Sequence, residues 1–177
     1  MTCIIGFKKD DKVYIGGDSA GVAGYNISIR KDEKVFRNGP FLIGFTSSFR
    51  MGQLLRYSFD PPSHPEGMED MKYMVTVFIP AVKKCLKEGG WMKTKDSQDE
   101  VGSFIVGYKA NLYEIDDDCQ VGQLTDNISS VGCGHQIALG AMFALEHLYP
   151  VERIKKALEI TTYLNAGVRP PFIVEEL

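Results

Sequence analysis

The sequence holds no cluster of lysines or arginines, and its formal net charge is −3. A surface for polyanions is therefore not expected, and neither nucleic acid nor membrane is among the expected partners. No stretch approaches the roughly 20 apolar residues that span a bilayer, and the first residues lack the basic segment and long apolar run of an export signal. The four cysteines, Cys3, Cys85, Cys119 and Cys133, stand far apart without a Cys-x-x-Cys pair. That spacing argues against zinc, offers no disulfide framework and fits a reducing cytoplasm. Histidine is as sparse: His64, His135 and His147 lie in unrelated segments and give no basis for a histidine-centred triad or a metal site. Gly21 and Gly24 do not follow a phosphate-loop pattern. Internal repeats, low-complexity runs and linkers are also lacking, so the 177 residues are expected to form one domain, 1–177, with a sizeable core.

What is present is a legible succession of elements. Residues 2–8 and 12–18 are β-rich runs separated by Lys9-Asp10-Asp11 and read as a hairpin. A glycine-containing loop is expected over Ser19 to Tyr25. "KVFRNGPFLIGFT" then gives a short strand, a turn at Asn38-Gly39-Pro40 and a buried strand over Phe41 to Phe45. A helix is expected from a serine cap at Ser48 to Phe59, ended by the prolines of "FDPPSHPEG". Met71, Met74, Val75, Phe78, Val82 and Leu86 recur at helical spacing and read as a core stripe, with Pro80 kinking the helix and Glu88-Gly89-Gly90 ending it. "KTKDSQDE" reads as a mobile loop, and "VGSFIVGY" and "NLYEID" as strands. Two helices follow. One covers Cys133 to Leu148 with Ile137, Ala141, Ala144 and Leu148 on its stripe, the other Pro150 to Asn165 with Val151, Ile154, Leu158 and Thr161. "FIVEEL" is a last strand. The helices arrive in pairs, whereas a doubly wound parallel sheet needs strict alternation. The expected fold class is therefore α+β, two antiparallel sheets packed together with a helix pair on each outer face.

Thr2 stands directly behind Met1. Removal of Met1 is expected because the next residue is small, and it leaves a secondary alcohol beside its own α-amine. An α-amine titrates at roughly 7.7 to 8.0, so it can act as a base near neutral pH without a histidine. Such a site also needs a cation to hold the amine neutral and stabilise the alkoxide, a carboxylate to orient that cation, and backbone donors for an oxyanion. The first hairpin returns Asp18 to the neighbourhood of Thr2, and Lys34 opens the third strand segment. Singly, each has a plainer reading: Asp18 as a turn or cap, Lys34 as a solvated charge. Cys3 reads as core. Cys133 reads either as a small buried residue at a helix start or as a reactive thiol.

Thr2, Asp18 sixteen residues on in "GGDS", Lys34 a further sixteen on in "KV", and "LIGFTSS" after the turn resemble the N-terminal half of proteasome β-type subunits. With the Met-Thr start, the length and "KALEITTYLN…VEEL" at the end, the chain is similar over nearly all its length to the HslV family of bacterial proteasome-like peptidases. The resemblance implies a four-layer αββα sandwich of the N-terminal nucleophile hydrolase class and hydrolysis of peptide or protein substrates by Thr2. It further implies a stacked-ring homo-oligomer with the sites inside and an ATP-dependent unfoldase as partner. By the same resemblance Thr2 is nucleophile and base, Lys34 lowers the pKa of the nucleophile, and Asp18 pairs with Lys34. Ser48 supplies the oxyanion amide, and Cys133 of "GCG" stands where the family has a serine supporting the amine. No cofactor is implied beyond a structural monovalent cation on the C-terminal loop.

Three departures accompany the resemblance. A thiol at Cys133 is a weaker donor and acceptor than a hydroxyl. Ser48 replaces a glycine, whose backbone freedom serine lacks. In "YLNAGVRPPF", Asn165 stands where many proteasome subunits carry an orienting aspartate, and Arg169-Pro170-Pro171 replaces serine and glycine, which puts the amine-orienting network and any cation site there in question. Two other readings stay open with them: a catalytically silent ring-forming or scaffolding protein of the same fold, and a small-amide hydrolase of the same class.

Overall fold

The computed structural model of the chain describes residues 1–95 and 98–177. β1 (Ile4–Lys9) and β2 (Lys12–Gly17) form the expected hairpin across a two-residue turn in which Asp10 takes φ 56°. A short polar side chain tolerates that left-handed conformation. β3 (Ala20–Ala23) and β4 (Asn26–Ile29) form a second hairpin where the sequence reads as a loop. Asn26-Ile27-Ser28-Ile29 alternates polar with apolar, but the run is only four residues long and all four are exposed, so neither face packs into the core. β5 (Val35–Asn38) and β6 (Phe41–Phe45) pair as expected.

α1 (Phe49–Tyr57) starts at the expected cap, Ser48, whose hydroxyl accepts the Arg50 N–H at 3.0 Å. α2 (Asp70–Tyr73) passes through a π-helical segment, Met74–Phe78, into α3 (Ile79–Glu88). The widened ladder lies directly before Pro80, whose ring and missing N–H an unbroken α-helical register does not accommodate. Met74, Phe78, Val82 and Leu86 are buried, while Val75 faces outward. β7 (Lys93–Lys95) and β8 (Gln98–Glu100) pair with each other in the segment expected as a mobile loop, of which Asp96 and Ser97 lie outside the described residues. β9 (Phe104–Tyr108), β10 (Asn111–Ile115), β11 (Val121–Gly122), β12 (Ile128–Val131), α4 (His135–Ala144), α5 (Pro150–Leu164) and β13 (Ile173–Glu176) complete the order. α4 is shorter than expected and buries Ala138, Ala141 and Met142 rather than a stripe through Ile137 and Ala144. It is apolar on nearly every side, so spacing alone does not single out its inner face. No helix among the described residues is long and apolar enough to cross a membrane.

Two antiparallel sheets carry the architecture, in the orders β12-β1-β2-β13 and β11-β10-β9-β6-β5. Ile4, Val13, Ile15, Val35, Leu42 and Ile105 join residues of both in one apolar cluster. Gly44 permits the close approach, since a Cβ there would lie 2.6 Å from Ile15 Cγ2 and 2.7 Å from Ile4 Cγ2. A second cluster packs the first sheet on α4 and α5 through Cys3, Ile5, Phe7, Ala138, Ile154 and Leu158. A third packs the other sheet on α1 to α3 through Phe41, Ile43, Leu54, Tyr73, Phe78 and Val106. Burying an aliphatic or aromatic side chain of this size stabilises the fold by about 1.5–3 kcal/mol. The packing gathers five chain segments at one edge of the sheets: the start of β1, the end of β2, the start of β5, the end of β6, and the β12–α4 junction.

Candidate active site

Pairing of β1 with β2 sets Ile4 opposite Gly17, so Asp18 comes to lie beside Cys3. The Asp18 carboxylate accepts the N–H of Cys3 on Oδ1 at 3.0 Å, and those of Ala20 and Arg169 on Oδ2 at 2.9 and 3.4 Å. Lys34 directly precedes β5, and its carbonyl accepts the Phe45 N–H at 3.0 Å, which fixes it at the end of β6. Lys34 Nζ donates to Asp18 Oδ1 at 2.9 Å and to Thr2 Oγ1 at 2.7 Å. The two charged side chains are almost completely buried, 1% exposed for Lys34 and 0% for Asp18. Burial pushes the Lys34 ammonium below its ordinary pKa, and the Asp18 carboxylate opposes that shift. The structure thus places Thr2, Lys34 and Asp18 in one chain of contacts.

Cys133 reaches Thr2 from the other side. Gly132 leaves β12 at φ 99°, a left-handed conformation natural to glycine, and a Cβ there would collide with the Thr2 carbonyl. The backbone therefore passes close enough for the Thr2 N–H to donate to Cys133 Sγ at 3.2 Å and for the Gly134 N–H to donate to Thr2 O at 3.3 Å. The thiol proton has two acceptors, Asn165 Oδ1 at 3.3 Å and Thr2 O at 3.4 Å. Asn165 also takes the Gly167 N–H on Oδ1 and donates Nδ2–H to the Cys133 carbonyl, both at 2.9 Å. Of the two readings open for Cys133, the buried apolar one is corrected: the residue is exposed. Cys3 is fully buried as expected, and burial pushes its thiol up to about 12, which leaves it inert.

Ser48 is the residue whose expected role the geometry does not support. Its N–H donates to Thr46 O at 2.7 Å across a tight turn, so this amide is already engaged. Its backbone is ordinary extended chain, φ −148°. The left-handed residue is Ser47 at φ 66°, one position earlier. Among the described residues the Ser47 N–H has no acceptor. Two adjacent serines give no sequence signal as to which one turns left-handed. Ser47 lines a cleft of about 280 Å³ together with Thr2, Gly21, Ala23, Arg30 and Lys34. β3 pairs with β4 alone among the described residues, which leaves the other edge of β3 free beside this cleft. Met1 lines the cleft too, and Thr2 Oγ1 donates to its carbonyl at 2.6 Å. Arg30, which the sequence reading passed over, is held there by a bidentate pair with Asp32 at 2.7 and 2.6 Å and lies 3.9 Å from the centre of the Phe49 ring.

No protein-family model matches the chain. Among solved structures, BPH of Thiobacillus denitrificans in complex with epoxomicin superposes on 99% of this chain and 98% of its own, with TM-score 0.81 at 17% identity. Eukaryotic HslV from Trypanosoma brucei does so over 99% of both chains, with TM-score 0.69 at 24% identity. These two similarities establish a common fold. Sequence similarity goes further: the chain is 30% identical over 165 residues to the ATP-dependent protease subunit HslV of Caldicellulosiruptor saccharolyticus. That match takes in 90% of this chain and 88% of the relative, and by it the chain belongs to the HslV family.

Proposed function

We propose that the protein is a threonine peptidase that hydrolyses peptide bonds through Thr2 once the Met1–Thr2 bond has been broken. The observation that carries this reading is the buried Lys34 ammonium, 2.7 Å from Thr2 Oγ1 and 2.9 Å from Asp18 Oδ1. A cation so placed favours the alkoxide over the alcohol and the neutral over the charged amine. The freed Thr2 amine, beside Cys133 Sγ, takes the Oγ1 proton. Oγ1 then attacks the substrate carbonyl, and the Ser47 N–H, in place of that of Ser48, donates to the oxyanion. The C–N bond breaks, the leaving amine takes the proton held by the Thr2 amine, and an ester to Oγ1 remains. A water deprotonated by the same amine attacks the ester and releases the acid. An extended peptide can be seated by adding as a strand to the free edge of β3.

The relative's designation as an ATP-dependent protease subunit supports extending the reading to the whole assembly. In it, domain 1–177 forms a four-layer αββα sandwich, builds a stacked-ring homo-oligomer in the cytoplasm, and receives unfolded protein from an ATP-dependent unfoldase. Intact-protein mass of chain made in its native host, before and after a peptide epoxyketone, tests the chemistry. The expected result is a mass lacking one methionine that gains one inhibitor at Thr2, with peptide cleavage abolished in Thr2→Ala. A mass retaining Met1 without adduct overturns the reading in favour of a catalytically silent ring-forming protein. An adduct with turnover of small amides but not of peptides replaces it with a small-amide hydrolase.

A further inference from the structure

The loop after α5 turns three carbonyl oxygens towards one point. Arg169 Nη1 lies 2.6 Å from Val168 O, 3.0 Å from Asn165 O and 3.4 Å from Thr162 O. A guanidinium nitrogen with two N–H groups thereby meets three acceptors, one N–H being shared. The oxygens belong to the last turn of α5 and the loop beyond it, where unpaired carbonyls and the negative end of the helix dipole favour a positive charge. A ring of carbonyl oxygens also suits a hard cation. Here the position is taken: a monovalent ion centred among these carbonyls would coincide with Nη1. The structural cation that the sequence resemblance implies does not fit this loop.

We propose that Arg169 is the built-in replacement for that ion, and that by holding the loop it positions the active site. The loop touches the site at two points. Asn165 holds Cys133 through its side-chain amide, and the Arg169 backbone donates its N–H to Asp18 Oδ2 at 3.4 Å while its carbonyl accepts the Ser19 N–H at 3.0 Å. Arg169 therefore acts through Asn165 and Asp18 and is a positioning residue. Only the activity readout of its test rests on the peptidase reading.

Full-length wild type, Arg169→Ala and Arg169→Lys are compared in sodium, potassium and choline chloride at equal ionic strength, by thermal midpoint and by peptide cleavage. Wild type is expected to show the same midpoint and rate in all three salts. Arg169→Ala is expected to melt lower and to cleave about tenfold or more slowly in choline, and to recover in sodium, potassium or low methylguanidinium. Arg169→Lys, which keeps the charge, is expected to fall between the two. A wild-type midpoint that drops in choline and returns with sodium or potassium overturns the proposal, because a separate ion is then bound. So does an Arg169→Ala deficit that no cation restores. Should Arg169→Ala fail to fold, the wild-type salt series and Arg169→Lys decide. If wild type cleaves no peptide in any salt, the peptidase reading falls while the midpoints still decide the role of Arg169.

Discussion

Asp18 is surrounded by donors alone: the Lys34 ammonium and the N–H groups of Cys3, Ala20 and Arg169. An asparagine at this position turns its NH2 either towards Lys34 and Cys3 or towards Ala20 and Arg169, so a donor meets donors in both orientations. The substitution also strands a buried ammonium. Breaking a buried ion pair by removing one partner costs about 3–5 kcal/mol, and an orphaned buried donor about 1–3 kcal/mol, part of which is the same loss. Asp18→Asn is therefore expected to destabilise the protein by about 4 kcal/mol, a large share of the ~5–15 kcal/mol typical of folded domains. Neutralising the cation at the same time, in Asp18→Asn/Lys34→Met, removes the stranded charge, so the double variant should be more stable than the sum of the singles by about 2 kcal/mol. The assay is urea unfolding at one fixed protein concentration, because self-association adds to apparent stability. A loss below about 1 kcal/mol for Asp18→Asn, or strict additivity, refutes the reasoning. The same pair has a pH signature. Burial lowers the Lys34 pKa in the folded state, so the folded chain holds this proton less firmly than the unfolded one. The penalty is complete below the lowered value and fades as pH rises towards the ordinary lysine value of about 10.4. This group alone makes stability increase with pH across that window, and Lys34→Met should remove the increase.

Cys133→Ser keeps a partner for the Thr2 amine and Cys133→Ala does not; the serine variant is expected to cleave peptides about tenfold faster than the alanine one, read from steady-state kinetics. Gly132→Ala forces a side chain into φ 99° and against the Thr2 carbonyl; it should lower the urea midpoint and abolish the epoxyketone adduct, as measured by mass. Burial pushes Tyr73 and Tyr113 up to about 12. Unfolded tyrosines ionise near pH 10, so the folded state holds these protons more firmly, and stability is expected to fall as pH rises from about 10 towards 12, followed by tyrosinate absorbance and circular dichroism together.

The legibility of the fold in the sequence followed burial. β1 and β2 are continuous buried runs rich in β-branched and aromatic residues, bounded by the charged turn Lys9 to Lys12, which reads as a hairpin, and the hairpin alone carries Asp18 back beside Thr2. β4 alternates polar and apolar residues over only four positions and buries neither face, and β12 is four residues long with two serines at its centre, so neither stands out as a strand. The Lys34 contact is another case. A single lysine in a sequence reads as solvent-facing, and only its distance from Thr2 and Asp18 along the chain, matched to a family, singled it out. That spacing carried no information on the sign of φ at two consecutive serines, so it could not show that Ser47 is the left-handed one and that the Ser48 N–H is engaged by Thr46 O.

Two of the departures from the family pattern, Cys133 and Asn165, are in direct contact. Asn165 exchanges hydrogen bonds with Cys133 in both directions: Oδ1 accepts the thiol proton and the Gly167 N–H, and Nδ2–H donates to the Cys133 carbonyl. These contacts fix which end of the amide is which. An aspartate in the same place could take the thiol and Gly167 protons, yet it has nothing to give the Cys133 carbonyl and would face that oxygen with negative charge. The amide thus matches a neighbour that offers it one side-chain donor and one backbone acceptor. Arg169, bound to the Asn165 carbonyl at 3.0 Å, closes the same loop with a charge that the chain carries itself. Asn165→Asp alone is therefore expected to lower the urea midpoint, whereas Cys133→Ser, whose hydroxyl can likewise donate to Asn165 Oδ1 and accept the Thr2 N–H, is expected to leave it nearly unchanged; equal losses in the two variants refute this account of the loop.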